Sequence, residues 1–460
     1  MFPPFDEEKA LEKCRWLAEK LDSGEAVLRQ LSAVSGERAG QGLMLAAMVA
    51  RDEDGKEGTY FACSGLSRQL QAAAPELAGS LRIAPPIVPP EAVASALAKN
   101  DREIHELTDR LAEGDGDALP PDRQEELKRR RRALTDESLD AVFSLYRFHC
   151  ADGRLKSLKE ACSEYARHTG KGGSLLPPTG TGECAEQKLL DLAFSQGLTP
   201  VSLAEVFYCA PDSPDAAKRG LAFPPCDSRC GIVLPAMLGL EILWRDTDII
   251  VVNKQSGLLS VPGRGPDKQD CIVNRVKRLF PDCMEQPAAH RLDMETSGLM
   301  VLTFNPTAHR ELSRQFQEGE VSKEYTALLD GVLACKGIAA TGVMELTFRL
   351  DVDNRPHQIW DSIYGKKSIT EWTVKRVQDY HAPDGSSRPA TRVLFRPHTG
   401  RTHQLRLASA DPHGFGVPII GDTLYGTCAE GERLMLHASR LVFTHPGNGR
   451  KMEFSSPAPF

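Results

Sequence analysis

Apolar and polar positions change rhythm several times along the chain. In "GLMLAAMVARDEDGKEGTYFACSGL", Gly42 to Leu66, two apolar runs flank Asp52-Glu53-Asp54-Gly55, which predicts a hairpin closed by an Asp-Gly turn. "IAPPIVPPE", Ile83 to Glu91, carries two Pro-Pro pairs; it predicts a break that no helix crosses. From Glu91 to about His168 glycine is scarce and Ala, Leu, Glu and Arg dominate, which predicts helix. A second punctuated segment, Gly170 to Glu183, precedes a helix-like stretch from Cys184 to Gln196 that stops at Gly197. Beyond "EILWRDTDIIVVNKQSG", where Ile249 to Val252 reads as a buried strand, short strands alternate with Gly and Pro turns, and no fixed-period repeat is present.

Composition narrows the classes. At 460 residues, 41% apolar and 26% charged, the chain suits two or three globular domains. No apolar stretch reaches the roughly 20 residues a membrane span needs. The opening "MFPPFDEEKALEKCRW" mixes charges where a signal peptide would be apolar, so a cytoplasmic protein with its twelve cysteines reduced is expected. The net charge of −7 is uneven: residues 241–460 hold 27 Lys and Arg against 26 Asp and Glu, the remainder 29 against 37. A general polyanion binder would show a basic surplus, so any nucleic-acid contact must rest on local patches. One basic run, Lys128 to Arg132, reads as a solvated helix face or as an auxiliary RNA contact.

Candidate chemistry gathers in the second half. In "AAHRLDMETSG", Asp293 sits in a turn-rich segment just ahead of the apolar run Leu299 to Leu302, a placement that holds a carboxylate at the rim of a cleft. In "VSKEYTALLDG", strand alternation sends Lys323 and Tyr325 to one face. "RPHTGRTHQLRLA" supplies Arg396, Arg401 and Arg406, Thr399 and Thr402, and His398 and His403, donors suited to phosphates and carboxylates. Taken singly, each has a plainer reading: a structural ion pair for the Arg and Asp, a core aromatic for Tyr325.

In fixed order, "VVNKQSGLLSVPG", "HRLDMETSGLMVLT", "SKEYTALLDG", "RPHTGRTHQLRLA", "GDTLYG" and "LHASRLVFTHP" closely resemble the RluA family of pseudouridine synthases, from about Glu241 to Phe460. The resemblance implies that uridine in RNA is isomerised to pseudouridine without a cofactor. Asp293 takes the position of the family's catalytic aspartate, and Arg406 that of the arginine pairing with it. Tyr325 takes that of the tyrosine that lies against the uracil and handles the C5 proton, and Arg291 that of a residue filling the gap left by the flipped nucleotide. Lys323, Arg401, Thr402 and His403 are the expected RNA contacts.

The first half distantly resembles the zinc-dependent nucleobase deaminases, in which a Cys-x-Glu opens one helix and a Pro-Cys pair with a second Cys opens the next. Here Cys184-Ala185-Glu186 and Pro225-Cys226 with Cys230 take those places, the last two cysteines separated by three residues rather than two. The resemblance implies zinc on Cys184, Cys226 and Cys230 with Glu186 as proton shuttle. The alternative is a fold that kept its shape with inert thiols.

The expected architecture is an α+β pseudouridine synthase fold at 241–460, with a mixed, largely antiparallel sheet and a central active-site cleft. Before it stands an α/β accessory domain: residues 1–90 with the hairpin, a helical insertion at 91–170, and 171–240. The expected protein is a monomeric RNA-modifying isomerase acting on structured ribosomal or transfer RNA, with no membrane partner. The alternatives are an idle RNA-binding or chaperone protein, and a bifunctional deaminase and synthase.

Overall fold

The computed structural model describes residues 6–31, 42–112, 120–169, 176–265 and 268–460; residues 113–119 of the expected helical stretch and 170–175 of the second punctuated segment lie outside them. The chain forms two compact units, Met1–Gly239 with Arg278–Pro281, and Leu240–Lys277 with Asp282–Phe460.

The first unit opens with α1 (Glu8–Asp22), β1 (Ala26–Gln30), β2 (Leu43–Arg51), β3 (Glu57–Cys63), β4 (Arg68–Ala72) and β5 (Arg82–Ile83). β2 and β3 pair antiparallel from Leu45 with Cys63 to Arg51 with Glu57, and Gly55 supplies the left-handed backbone of the turn at φ 78°. The Pro-rich link forms the expected break, and α2 (Pro90–Ala112) begins on its last proline, one residue ahead of Glu91. A first-turn N–H has no helical partner, so proline sacrifices nothing there. α2 and α3 (Pro121–Phe143) form a helical hairpin in which Leu107 packs with Leu127 and Leu134. The expected helical stretch is then interrupted by β6 (Arg147–His149) and β7 (Leu155–Ser157), an antiparallel pair too short to show a period-2 pattern. α4 (Leu158–His168) follows, closed at its start by a Ser157–Glu160 capping box. α5 (Ala185–Ser195), β8 (Thr199–Tyr208) and α6 (Cys230–Met237) complete the unit. The sheet order is β5-β3-β2-β8. α1 and α5 both pack on β2 and β8, which is why β2 is buried at successive positions instead of alternate ones.

The second unit runs β9 (Glu241–Arg245), β10 (Ile249–Lys254), α7 (Ile272–Leu279), β11 (Ser297–Thr303), α8 (Pro306–Glu318), β12 (Ser322–Leu329), β13 (Thr341–Leu350), β14 (Gln358–Trp360), β15 (Lys366–His381), β16 (Ser387–Pro397), α9 (Gln404–Ala410), β17 (Leu436–Thr444) and β18 (Lys451–Ser455). Its ten-stranded sheet has the order β14-β13-β15-β16-β12-β17-β11-β10-β9, with β18 also on β17. Only β11 and β17 pair parallel. This is the mixed, largely antiparallel sheet of an α+β synthase fold. Ile249 and Val251, Leu299 and Val301, and Leu441 and Phe443 pack with Leu312 of α8 in one core cluster; β10 and β11 are covered on both faces and read as continuous apolar runs.

Candidate active site

Three central strands set the site. Ser297 and Gly298 of β11 lie beside His437 and Ala438 of β17, and Tyr325 of β12 lies beside Ala438 from the other side. The approach of β11 to β17 is close: a Cβ on Gly298 would stand 2.4 Å from the Ala438 carbonyl oxygen, and its φ of 116° disfavours any side chain. Asp293 therefore leaves the sheet from a rigid edge.

Its loop is braced from the 254–260 segment. Lys254, only 1% exposed, donates to the carbonyls of Gln255, Leu258 and Met294 at 3.0, 2.7 and 2.8 Å. Ser256 Oγ donates to Glu295 O at 2.6 Å, Ser260 Oγ donates to Leu292 O at 2.7 Å, and the Leu292 N–H returns a bond to Ser260 Oγ at 3.0 Å. These bonds tie the backbone on both sides of Asp293, while its carboxylate has no hydrogen-bond donor among the described residues. Burial pushes Lys254 down to about 7, with Asp293 pulling the other way; the three carbonyls match the three donors of the protonated amine.

A cavity of about 130 Å³ opens beside Asp293. Arg291, Thr296, Lys323, Tyr325, Arg401, Thr402, His403 and Arg406 share its wall. A second, of about 350 Å³, shares Arg291, Asp293, His403 and Arg406 with it and extends past Ser260, Pro356 and Leu424. Lys323 and Tyr325 thus face the same space. Burial first, and then the Asp293 charge, push the Tyr325 phenol well above its ordinary value; burial pushes Lys323 down.

Arg406 differs from expectation. Its guanidinium forks onto Asp422 (Nε to Oδ2 2.9 Å, a second nitrogen to Oδ1 2.6 Å) and reaches Glu295 at 2.9 Å, not Asp293. Asp422 is fully buried, and the fork, with the Leu424 and Tyr425 N–H groups that donate to Oδ1 at 3.0 Å each, compensates its desolvation. The titratable neighbour of Asp293 is His403, with Nε2 4.0 Å from Oδ1. His403 caps α9 at φ 55°, and burial holds its ring below the ordinary value against the opposing pull of Asp293. Tyr425 Oη accepts from the Gln358 N–H at 2.8 Å and lies 2.8 Å from His403 Nδ1. Its own proton is available to Nδ1, and that arrangement places the proton of the neutral ring on Nε2, facing Asp293. Two other donors of this stretch are spent on acids: Arg396 on Glu324 at 2.8 Å and His398 on Glu371 at 2.9 Å. Arg291, Lys323 and Arg401 have no ion-pair partner among the described residues.

Sequence reasoning missed Lys254, whose signal was a lysine closing a fully apolar run, and Thr296, whose buried hydroxyl has no hydrogen-bond partner on the cavity wall. In the first unit, Cys184 is the N-cap of α5 and Cys230 the first residue of α6, but Cys226 lies in the preceding turn; the two do not share one helix as expected. Glu186 is 1% exposed and accepts from Arg278 at 2.8 Å.

Residues 248–411 match the model of the family described as RNA pseudouridylate synthase. The dual-specificity RNA pseudouridine synthase RluA of Escherichia coli K12 is 41% identical over 224 residues, 48% of this chain and 94% of that protein. The protein of the same name from Yersinia pestis is 42% identical over 222 residues, 99% of its length. The chain belongs to the RluA family of RNA pseudouridine synthases. It is therefore an isomerase that modifies RNA, and the matched length falls in the second unit, around Asp293. The solved human RNA pseudouridylate synthase domain containing 1 is 29% identical over 48% of this chain and 84% of that one, with a TM-score of 0.38. Among the described residues no helix is long and apolar enough to cross a membrane.

Proposed function

We propose that this synthase isomerises particular uridines in folded ribosomal or transfer RNA, with Asp293 as nucleophile and no cofactor. The observation that carries the reading is the Asp293 carboxylate: unbonded on a loop tied through Lys254, Ser256 and Ser260, it borders a cavity shared with Tyr325 and Arg291. The relatives' dual specificity supports RNA of more than one kind as substrate.

The target nucleotide must first leave its stack, at a cost of a few kcal/mol. Arg291, exposed and unpaired, supports the vacated position, while Lys323, Arg401, Thr402 and His403 meet the backbone around it. The N1–C1′ bond then breaks, the uracil leaving with the electron pair, and Asp293 either attacks C1′ or steadies the sugar cation. The uracil turns, C5 bonds to C1′, the C5 proton departs and N1 regains one, so the product is an isomer of the substrate. No redox partner or metal is needed for this balance. Tyr325 holds its proton in the free enzyme because burial and the Asp293 charge both oppose ionisation. Once Asp293 carries the sugar its charge is gone, so the phenol ionises more readily and a phenolate that can take the C5 proton becomes accessible at the stage when C5 must lose it.

The test is carbodiimide mapping of pseudouridine in RNA from cells lacking the gene, complemented with wild type or Asp293→Asn. Wild type is expected to restore discrete sites and the variant none, a loss on the order of a thousandfold or more in rate. Restoration of the same sites by Asp293→Asn would reject the carboxylate as nucleophile. Wild type restoring no site would favour an idle RNA-binding protein.

A further inference from the structure

Three thiols converge in the first unit from separate stretches of chain: Cys184 at the start of α5, Cys226 in the turn after β8, and Cys230 at the start of α6. Their sulfur atoms all lie within 4.8 Å of one another, and none is in a disulfide. Zinc–sulfur bonds of about 2.3 Å in a tetrahedron place sulfurs about 3.8 Å apart, inside that limit. The turn is closed around Cys226: the Gly231 N–H donates to its carbonyl at 2.9 Å, and Ser228 Oγ lies 3.9 Å from its sulfur.

A second observation points the same way. Glu205 of β8 is 8% exposed, and its Oε2 is buried with no hydrogen-bond partner. Glu186 Oε2 is likewise buried without one. Buried carboxylate oxygens without a hydrogen-bond partner are costly, and positive charge nearby offsets that cost. A divalent ion held by the three sulfurs, with solvent as fourth ligand, would supply that charge.

We propose that Cys184, Cys226 and Cys230 bind one zinc ion that staples α5, the 226–229 turn and α6 together. Soft sulfur donors in a near-tetrahedral array select zinc over magnesium or calcium. The site is a staple and not a deaminase centre, since the Glu186 carboxylate that a proton shuttle would need is engaged by Arg278 at 2.8 Å.

The experiment uses the full chain, purified anaerobically from zinc-supplemented minimal medium and dialysed. Elemental analysis is expected to find about one zinc per chain in wild type and in Asp293→Asn, and at least about tenfold less in Cys226→Ser and Cys230→Ser. Cobalt exchanged into the wild type is expected to show sulfur-to-metal absorption in the near ultraviolet and the visible bands of a tetrahedral ion, a readout that needs no variant to fold. Chelation is expected to lower the melting temperature of the first unit. Less than about one-tenth zinc per wild-type chain, zinc retained in a Cys226→Ser/Cys230→Ser chain, or cobalt bound without the sulfur band would each overturn the proposal.

Discussion

Removing the Arg406 guanidinium strands two acids at once. Arg406→Met leaves the fully buried Asp422 and the half-buried Glu295 without their cation, which should lower the stability of the second unit by about 3–5 kcal/mol. Arg406→Lys keeps the charge but not the fork, and should recover only part of it. Asp293→Asn, by contrast, breaks no hydrogen bond among the described residues and should melt near wild type while losing turnover. Urea unfolding of the three variants separates the roles; an Arg406→Met chain as stable as wild type would show that the Asp422 pair is not what holds this wall. Lys254 adds a pH dependence. An unfolded lysine titrates near 10.4 and the buried one at about 7, so between those values the unfolded chain binds the extra proton and stability rises with pH. Relative to Lys254→Met, the wild-type melting temperature should climb from pH 7 towards pH 10; a flat difference would place the folded value elsewhere.

The contact of β11 with β17 leaves no room for a methyl group. Gly298→Ala would drive a carbon into the Ala438 backbone, and backbone cannot swing aside as a long side chain can, so a loss of about 3 kcal/mol or more is expected along with displacement of the Asp293 loop. Retained activity with a wild-type melting point would contradict that geometry. Much at this scale was legible: the apolar run of β11 and the alternation bringing Lys323 and Tyr325 to one wall are local patterns. What was not legible is long-range or too short to have a period. Asp422 lies sixteen positions from Arg406, and nothing local tells it from Asp293 as a partner. The three-residue strands β6 and β7 carry no rhythm, and the proline that opens α2 looks the same as one that forbids a helix. Cys226 and Cys230 have helical spacing, yet the helix begins only at the second.

Taken over its whole length, the chain is acidic at −7, and the 241–460 region is nearly balanced. On the proposed reading, the salt-dependent RNA affinity comes from the cavity-wall cations with no ion-pair partner among the described residues, Arg291, Lys323 and Arg401, while Arg396 is neutralised by Glu324. The logarithm of the RNA association constant should fall with the logarithm of salt concentration at a slope of roughly −2 to −3, and Arg291→Ala or Arg401→Ala should each flatten it by about one unit. A slope several units steeper would show that other basic surface, such as Lys128 to Arg132, carries the binding. One further consequence lies in the middle strand. Because the Asp293 loop hangs from one flank of β17 and the Tyr325 phenol from the other, at neighbouring rungs, that strand serves as a common ruler for both. A one-residue insertion before His437 would move both marks together and turn the strand inside out, whereas the same insertion in the turn behind it would leave the gap between acid and phenol unaltered.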